Sequence, residues 1–189
     1  MLKDLILKNR SYRRFHQEVC IETTILKEFI ELARLSPSAA NRQPLKYIIS
    51  HDPLKNAVIF PHLKWAGYLE DWPGPKEGEK PSAYIVILGD KGISQSFGCD
   101  QGIVAQSIML GAAEKELGGC IIASIDQAGL RTALNIDSRY EILLVLALGR
   151  PKEKVVIEQI NSDGDIKYWR DKQGVHHVPK RKLDNIIIC

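Results

Sequence analysis

Apolar positions recur along the chain in two periods, and these divide it into helices and strands. Leu2, Leu5 and Ile6 share one face of a helix over residues 2–8, and Ile25, Leu26, Phe29, Ile30, Leu32 and Ala33 repeat at helical spacing over 24–35. Thr23 or Thr24 is placed to cap that second helix. A short strand at 47–50 and a brief helix at 54–60, ending before Pro61, follow. Tyr84-Ile85-Val86-Ile87-Leu88 is an unbroken apolar run between Pro81 and Gly89, the pattern of a buried strand. Residues 99–117 carry Ile103, Val104, Ile108, Met109, Leu110, Ala112 and Ala113, so that helix is predicted to be buried on most sides, within one subunit or between two. Gly118 and Gly119 close it and open a strand to Ser124. A helix near 127–134 and a strong strand at 141–148 complete the regular part.

Three stretches depart from this pattern. Residues 34–44 (Arg34-Leu35-Ser36-Pro37-Ser38-Ala39-Ala40-Asn41-Arg42-Gln43-Pro44) are crowded with hydrogen-bonding groups. Such a composition is first that of a helix-to-strand turn, and it also suits a loop shaped around a polar, planar ligand. Residues 61–81 are irregular and hold Trp65, Tyr68 and Trp72, which fits either a lid over a flat ligand or a loop anchored on its own core. From residue 152 the chain becomes polar. An Asp163-Gly164 turn is expected to join 155–157 to 166–169, and the apolar Ile186-Ile187-Ile188 end should add to a sheet, in this chain or in a partner.

Composition bounds the class. The 189 residues are 44% apolar and 26% charged, as in an ordinary globular protein, so one domain over 1–189 with an extended tail is expected. No apolar run approaches the roughly 20 residues that span a bilayer. The four cysteines are far apart, with no C-x-x-C pair, and no signal-peptide pattern is evident, so a soluble protein with reduced thiols in the cytoplasm is expected. A net charge of +3 does not by itself imply nucleic acid, and no basic stretch interleaved with aromatics supports it.

The candidate chemistry is sparse. Arg10, Arg13 and Arg14 near the start and Lys180, Arg181 and Lys182 near the end could hold a small anion between them, since guanidinium groups match phosphate oxygens as paired donors. His176 and His177 are adjacent and lack a carboxylate or thiol at ligand spacing, so no metal site is expected. Cys99 and Cys120 read as small buried hydrophobes, there is no G-x-S-x-G, and neither G-x-G-x-x-G nor a P-loop occurs. Phosphate-type residues without an acid, base, nucleophile or metal grouping fit a protein whose cofactor carries the chemistry.

Five motifs in order resemble the FMN-dependent nitroreductase family. These are Arg10-Ser11-x-Arg13-x-Phe15, then Ser36-Pro37-Ser38-x-x-Asn41-x-Gln43-Pro44, then the helix from Asp100 with Gly102, Ala105, Gln106 and Ala112 running into Leu117-Gly118-Gly119. The strand ending in Leu148-Gly149-Arg150-Pro151 and the closing Pro179-Lys180-x-Lys182-Leu183 complete the set. The resemblance implies an α+β fold, a mixed sheet flanked by helices, in a homodimer that exchanges C-terminal strands. It implies FMN, with Arg10, Ser11, Arg13, Lys180 and Lys182 at the phosphate and ribityl end. Ile122, Ala123 and Ser124 would lie beside the isoalloxazine ring, and Pro37, Ser38, Asn41 and Gln43 would reach flavin bound mainly by the other subunit. NAD(P)H would reduce the flavin, and a small-molecule acceptor such as a nitroaromatic or quinone would reoxidise it. Another flavin reaction on the same fold, or a flavin-binding module without catalysis, is the alternative. Asn9 stands where many relatives carry a basic residue, and 61–81 is a short segment in place of a longer helical excursion, which leaves Trp65, Tyr68 and Trp72 as candidates for the substrate pocket.

Overall fold

The computed structural model describes residues 1–160 and 164–188. Helix α1 (Leu2–Lys8) leads through β1 (Phe15–His16) to α2 (Thr23–Leu35) and, past the polar loop, to β2 (Leu45–Ser50). Next come α3 (Pro53–Ile59), β3 (Ala83–Asp90), α4 (Asp100–Glu114), β4 (Gly118–Ile122), α5 (Gln127–Ala133) and β5 (Tyr140–Pro151). The tail adds β6 (Val155–Gln159), β7 (Trp169–Arg170) and β8 (His176–Lys180).

The long strand β5 organises the sheet. It pairs antiparallel with β3 along one edge and with β4 along the other, β2 extends the sheet beyond β3, and β1 pairs with the far end of β5. Parallel pairing enters through the Ser11–Gly119 bridge and in the tail, where β6 and β8 run parallel and β7 joins β8 antiparallel. Alternation on β3 separates two cores, because successive side chains leave opposite faces. Ile85 and Ile87 pack with Leu26 and Phe29 of α2 and Val104, Ile108 and Met109 of α4, while Tyr84 and Val86 pack with Ile59, Leu130 and Val145. Every residue of β3 is buried, as the apolar run at 84–88 predicts. On β5 a register shift opposite Ile87/Leu88 interrupts the alternation, so Leu144 joins the first core and Ile142 the second. This is an α+β fold with helices on both faces of the sheet.

Several expectations need correction. Glu22, not Thr23 or Thr24, takes the N-cap position of α2, without a side-chain capping hydrogen bond, and Thr23 Oγ1 meets His51 Nε2 at 2.6 Å. Cys120 is buried, but Cys99 is exposed at the start of α4. The expected Asp163-Gly164 turn involves Asp163, which lies outside the described residues. The strand before it does not pair with 166–169. β8 takes both partners instead, because a turn at 171–174, closed by Gly174 N–H to Asp171 O (3.0 Å) with Gly174 at φ 79°, folds β7 onto it. Ile186, Ile187 and Ile188 form no strand among the described residues and are exposed after a 3-10 turn.

The sheet leaves no room at Gly119, where a Cβ would fall on the Ala147 carbonyl oxygen of the neighbouring strand. That oxygen is backbone, so it cannot move aside cheaply. Gly119→Ala is expected to cost about 1–3 kcal/mol, read as a lower midpoint in urea unfolding; an unchanged midpoint would refute the close approach.

Candidate functional site

The N-terminal motif is held to the tail by a buried carboxylate. Glu153 has a fully buried side chain, and its Oε1 accepts the backbone N–H groups of Arg13 and Arg14, the latter at 3.1 Å. Its Oε2 accepts from Arg170 Nη2 at 2.8 Å. The Arg14 guanidinium turns the other way and grips Glu79 with two bonds of 2.9 and 2.6 Å, which hold the Glu79 carboxyl below the usual carboxylate range. Tyr12 N–H donates to Gly119 O at 2.9 Å, so the motif also lies along β4.

Arg13 is therefore directed away from both acids. It is 8% exposed, and its guanidinium makes no ion pair among the described residues. Its Nη1 donates to Ser11 O at 3.3 Å and meets His176 Nε2 at 3.2 Å, and the group lies over the Tyr168 ring, 4.8 Å from its centroid. A buried cation without a carboxylate is costly unless something anionic completes it.

Two cavities meet at Arg13. One, of about 280 Å³, is walled by Arg10, Ser11, Arg13, Tyr168, His176 and Lys180 together with Asn9, Gln106, Met109, Gly119, Ile121 and Val178. The other, of about 360 Å³, lies between Lys64, Trp65, Ala66 and Gly67 on one side and Cys120 to Ser124 on the other. Arg13 and Ile121 belong to both walls, and neither wall carries a carboxylate. Lys64 N–H donates to Ser124 O at 3.0 Å, and the Leu63–Ile125 bridge ties the same two stretches. The two cavities therefore adjoin at Arg13 and Ile121, the first lined by cationic and hydrogen-bonding groups and the second by the 120–124 stretch and Trp65.

The polar loop belongs to different surroundings. Asp100, 2% exposed in the first turn of α4, accepts from Ser38 Oγ at 2.6 Å and from Ala39 N–H at 3.0 Å. Ser38 Oγ in turn accepts from Gln43 N–H (2.9 Å), and Gln43 Nε2 donates to Asn41 Oδ1 (3.0 Å). Ala40, Asn41 and Gln43 all have φ near +50°, a conformation that costs energy without glycine and that persists where surroundings enforce it. Pro37, Ser38 and Gln43 line a third cavity of about 500 Å³ between α2, β2 and α4, which shares no residue with the other two.

Of the residues expected from sequence, Arg10, Ser11, Arg13 and Lys180 come together, and Ile122, Ala123 and Ser124 share the adjoining cavity with Trp65. Lys182 is exposed and in none of the three walls. Tyr68 and Trp72 also stay outside them: Tyr68 packs on Tyr168 (5.0 Å between ring centres), and Trp72 takes the Arg170 guanidinium on its face at 4.3 Å. Residues 61–81 are thus anchored on the tail and on the 123–126 stretch. Glu153, Tyr168, His176 and Asp100 were not expected as site-forming groups. Glu153 stands between Lys152 and Lys154 and looks solvated in the sequence, and nothing local marks Tyr168 as a partner for an arginine 155 positions earlier, that is 168 less 13. Asp100 at a helix start carries only the generic signal of an acid complementing the helix dipole.

A model described as the Nitroreductase family matches residues 6–77 and 78–150. No curated protein matches the chain. Among solved structures, a nitroreductase family protein from Streptococcus pneumoniae TIGR4 superposes with a TM-score of 0.73 at 18% identity, covering 100% of both chains. An FMN-dependent nitroreductase from Clostridium difficile R20291 gives 0.65 at 23% identity, over 89% of this chain and 97% of that one. A protein from Exiguobacterium sibiricum 255-15, solved in complex with FMN, gives 0.66 at 19% identity, over 80% and 89%.

The surroundings of His176 generate a pH dependence. Burial first, then the nearby Arg13, Arg170 and His177, push its pKa down to about 4 from 6.5. The unfolded chain takes up this proton below about pH 6.5 and the folded one does not, so the contribution is full above that value and is lost as pH falls toward 4. His177 acts with the opposite sign: burial lowers its pKa, but hydrogen bonds to Glu158 and Asp171 outweigh this and raise it. Comparison of wild type with His176→Phe isolates the first residue. The stability difference between them should increase from pH 5 to pH 7 in urea titrations, and a constant difference would refute the buried neutral ring.

Proposed function

Because the chain belongs to the nitroreductase family, we propose that it is an FMN-dependent oxidoreductase that passes electrons from NAD(P)H to a small acceptor such as a nitroaromatic or quinone. The observation that carries this reading is Arg13, a nearly buried guanidinium without a carboxylate, placed where two carboxylate-free cavities join. The residues present fit FMN. Arg10, Arg13 and Lys180 supply cationic donors and Ser11 a hydroxyl at one end, which suits a phosphate. At the other end Ile122, Ala123 and Ser124 line a cavity together with Trp65, Ala66 and Gly67, a wall of small and apolar groups beside polar ones that suits a planar heterocycle.

FMN, when bound, supplies hydride chemistry and can hand on two electrons. The chain's own residues bind, orient and exclude water. Glu153 fixes the backbone at Arg13 and Arg14 while Glu79 occupies Arg14, so the charge facing the ligand stays positive and undivided. Cationic donors at the phosphate end also favour retention of a ligand whose negative charge grows on reduction. The wall from Cys120 to Ser124 is braced by the Lys64 N–H to Ser124 O hydrogen bond and would orient a ring lying against it. No side chain there is arranged as a dedicated acid, and solvent can supply protons.

The loop at 36–44 supports a dimeric reading of the same site. Its strained backbone is held by Asp100 away from the Arg13 cavities, in keeping with a role toward flavin bound chiefly by a second copy. The exposed apolar Ile186 to Ile188 segment and the exposed Leu2, Ile6 and Leu7 of α1 offer surface for that contact.

Anaerobic mixing of the flavin-loaded protein with NADH or NADPH should bleach the yellow flavin, and a nitroaromatic or quinone should restore it. Bleaching without reoxidation by any acceptor would leave only a flavin-binding module, and a protein that takes up no FMN would refute the proposal. Arg13→Ala should weaken FMN by about 1.5 to 3 kcal/mol, from the loss of a charge-assisted contact. An unchanged dissociation constant would remove Arg13 from the site.

A further inference from the structure

We propose that Tyr168 is a positioning residue for Arg13: its ring face holds the guanidinium so that the Nε and Nη2 edge stays open for an oxygen-bearing group of bound FMN. This rests on the FMN reading of the site and concerns a residue that no motif in the sequence announces.

A nearly buried guanidinium needs partners, and those of Arg13 include no carboxylate. Its Nη1 meets Ser11 O at 3.3 Å and His176 Nε2 at 3.2 Å, and its central carbon lies 4.8 Å from the centre of the Tyr168 ring. An aromatic face attracts a cation through its quadrupole without cancelling the charge. Both hydrogen bonds of the guanidinium use Nη1. Nε and Nη2 donate to no oxygen or nitrogen among the described residues, and neither is among the polar atoms sealed from solvent. Both therefore keep accessible surface, in a residue that walls the two cavities. These are the parallel N–H groups with which a guanidinium grips an oxyanion.

Tyr168 is itself held. Tyr68 packs on it with ring centres 5.0 Å apart and gives its backbone N–H to the phenol oxygen at 3.4 Å, and the His176 ring lies 5.1 Å away. A platform braced in this way removes rotamers that Arg13 would otherwise lose on binding. Preorganisation of that kind strengthens binding without a contact to the ligand.

FMN titrations followed by quenching of flavin fluorescence test the role. Tyr168→Phe keeps the ring and should stay within about twofold of wild type, whereas Tyr168→Leu should weaken FMN about fivefold. In an Arg13→Ala background Tyr168→Leu should add less than about twofold, because no guanidinium remains to be positioned. Progressively fluorinated phenylalanines at position 168 nearly preserve the size of the ring and drain its face of negative charge, so they probe the platform without emptying the space. Affinity should fall stepwise along that series. A Tyr168→Leu penalty undiminished without Arg13 would overturn the proposal, since Tyr168 would then touch the ligand or merely support the fold; affinity indifferent to fluorination would do the same. Wild-type uptake of FMN with unaltered affinity in Tyr168→Leu overturns the role of Tyr168 alone, and wild-type protein that takes up no FMN overturns the functional reading with it.

Discussion

The site depends on the burial of one carboxylate. Glu153 takes the backbone N–H groups of Arg13 and Arg14 with one oxygen and the Arg170 guanidinium with the other, and its side chain is fully buried. An isolated charge in that position would be costly, and here three donors offset the cost. The consequence is an allocation of charge. Glu79 is taken by Arg14, Glu153 by Arg170 and two amides, and Arg13 is left facing the cavities without an acid. Ligand recognition at an electropositive site needs that exclusion of carboxylates as much as it needs the arginines.

The sheet supplies the other half of the geometry. β5 lies between β3 and β4, and β4 can pack closely because Gly119 lacks a side chain where the Ala147 carbonyl approaches. That closeness brings the Ser11–Gly119 bridge into line and lets the N-terminal motif run beside the strand whose end walls the cavity next to Trp65. A loop, a strand end and a tail strand from distant parts of the chain thus converge on one place, and each is held there by backbone hydrogen bonds.

Much of this was legible in the sequence. The period of 24–35, the apolar run at 84–88 and the apolar helix near 99–117 each express a single local rule, burial on one face or on all, and the structure follows them. That Arg10, Arg13 and Lys180 line one cavity is in keeping with their side-chain type, since guanidinium and ammonium groups advertise anion binding. Glu153, Tyr168 and His176 were not legible, since their roles come from contacts across 140 residues or more, and a glutamate between two lysines or a histidine pair in an extended stretch carries no mark of what will pack against it. The tail was misjudged for a related reason. The expected turn at 163–164 falls partly outside the described residues; what the sequence did not show is that β8 has two edges to satisfy, and pairing on both decided the arrangement.

Trp72 rests on the Arg170 guanidinium, Arg170 on Glu153, and Glu153 on the amides of the N-terminal motif. Tyr68 makes a second link of the same kind through Tyr168 to Arg13. Residues 61–81, the tail sheet and the cavity wall at Arg13 are therefore linked by a chain of direct contacts. Opening of this region in amide exchange would occur as a single cooperative unit, with its free energy set by the salt bridge at its centre and not by the irregular segment at its edge.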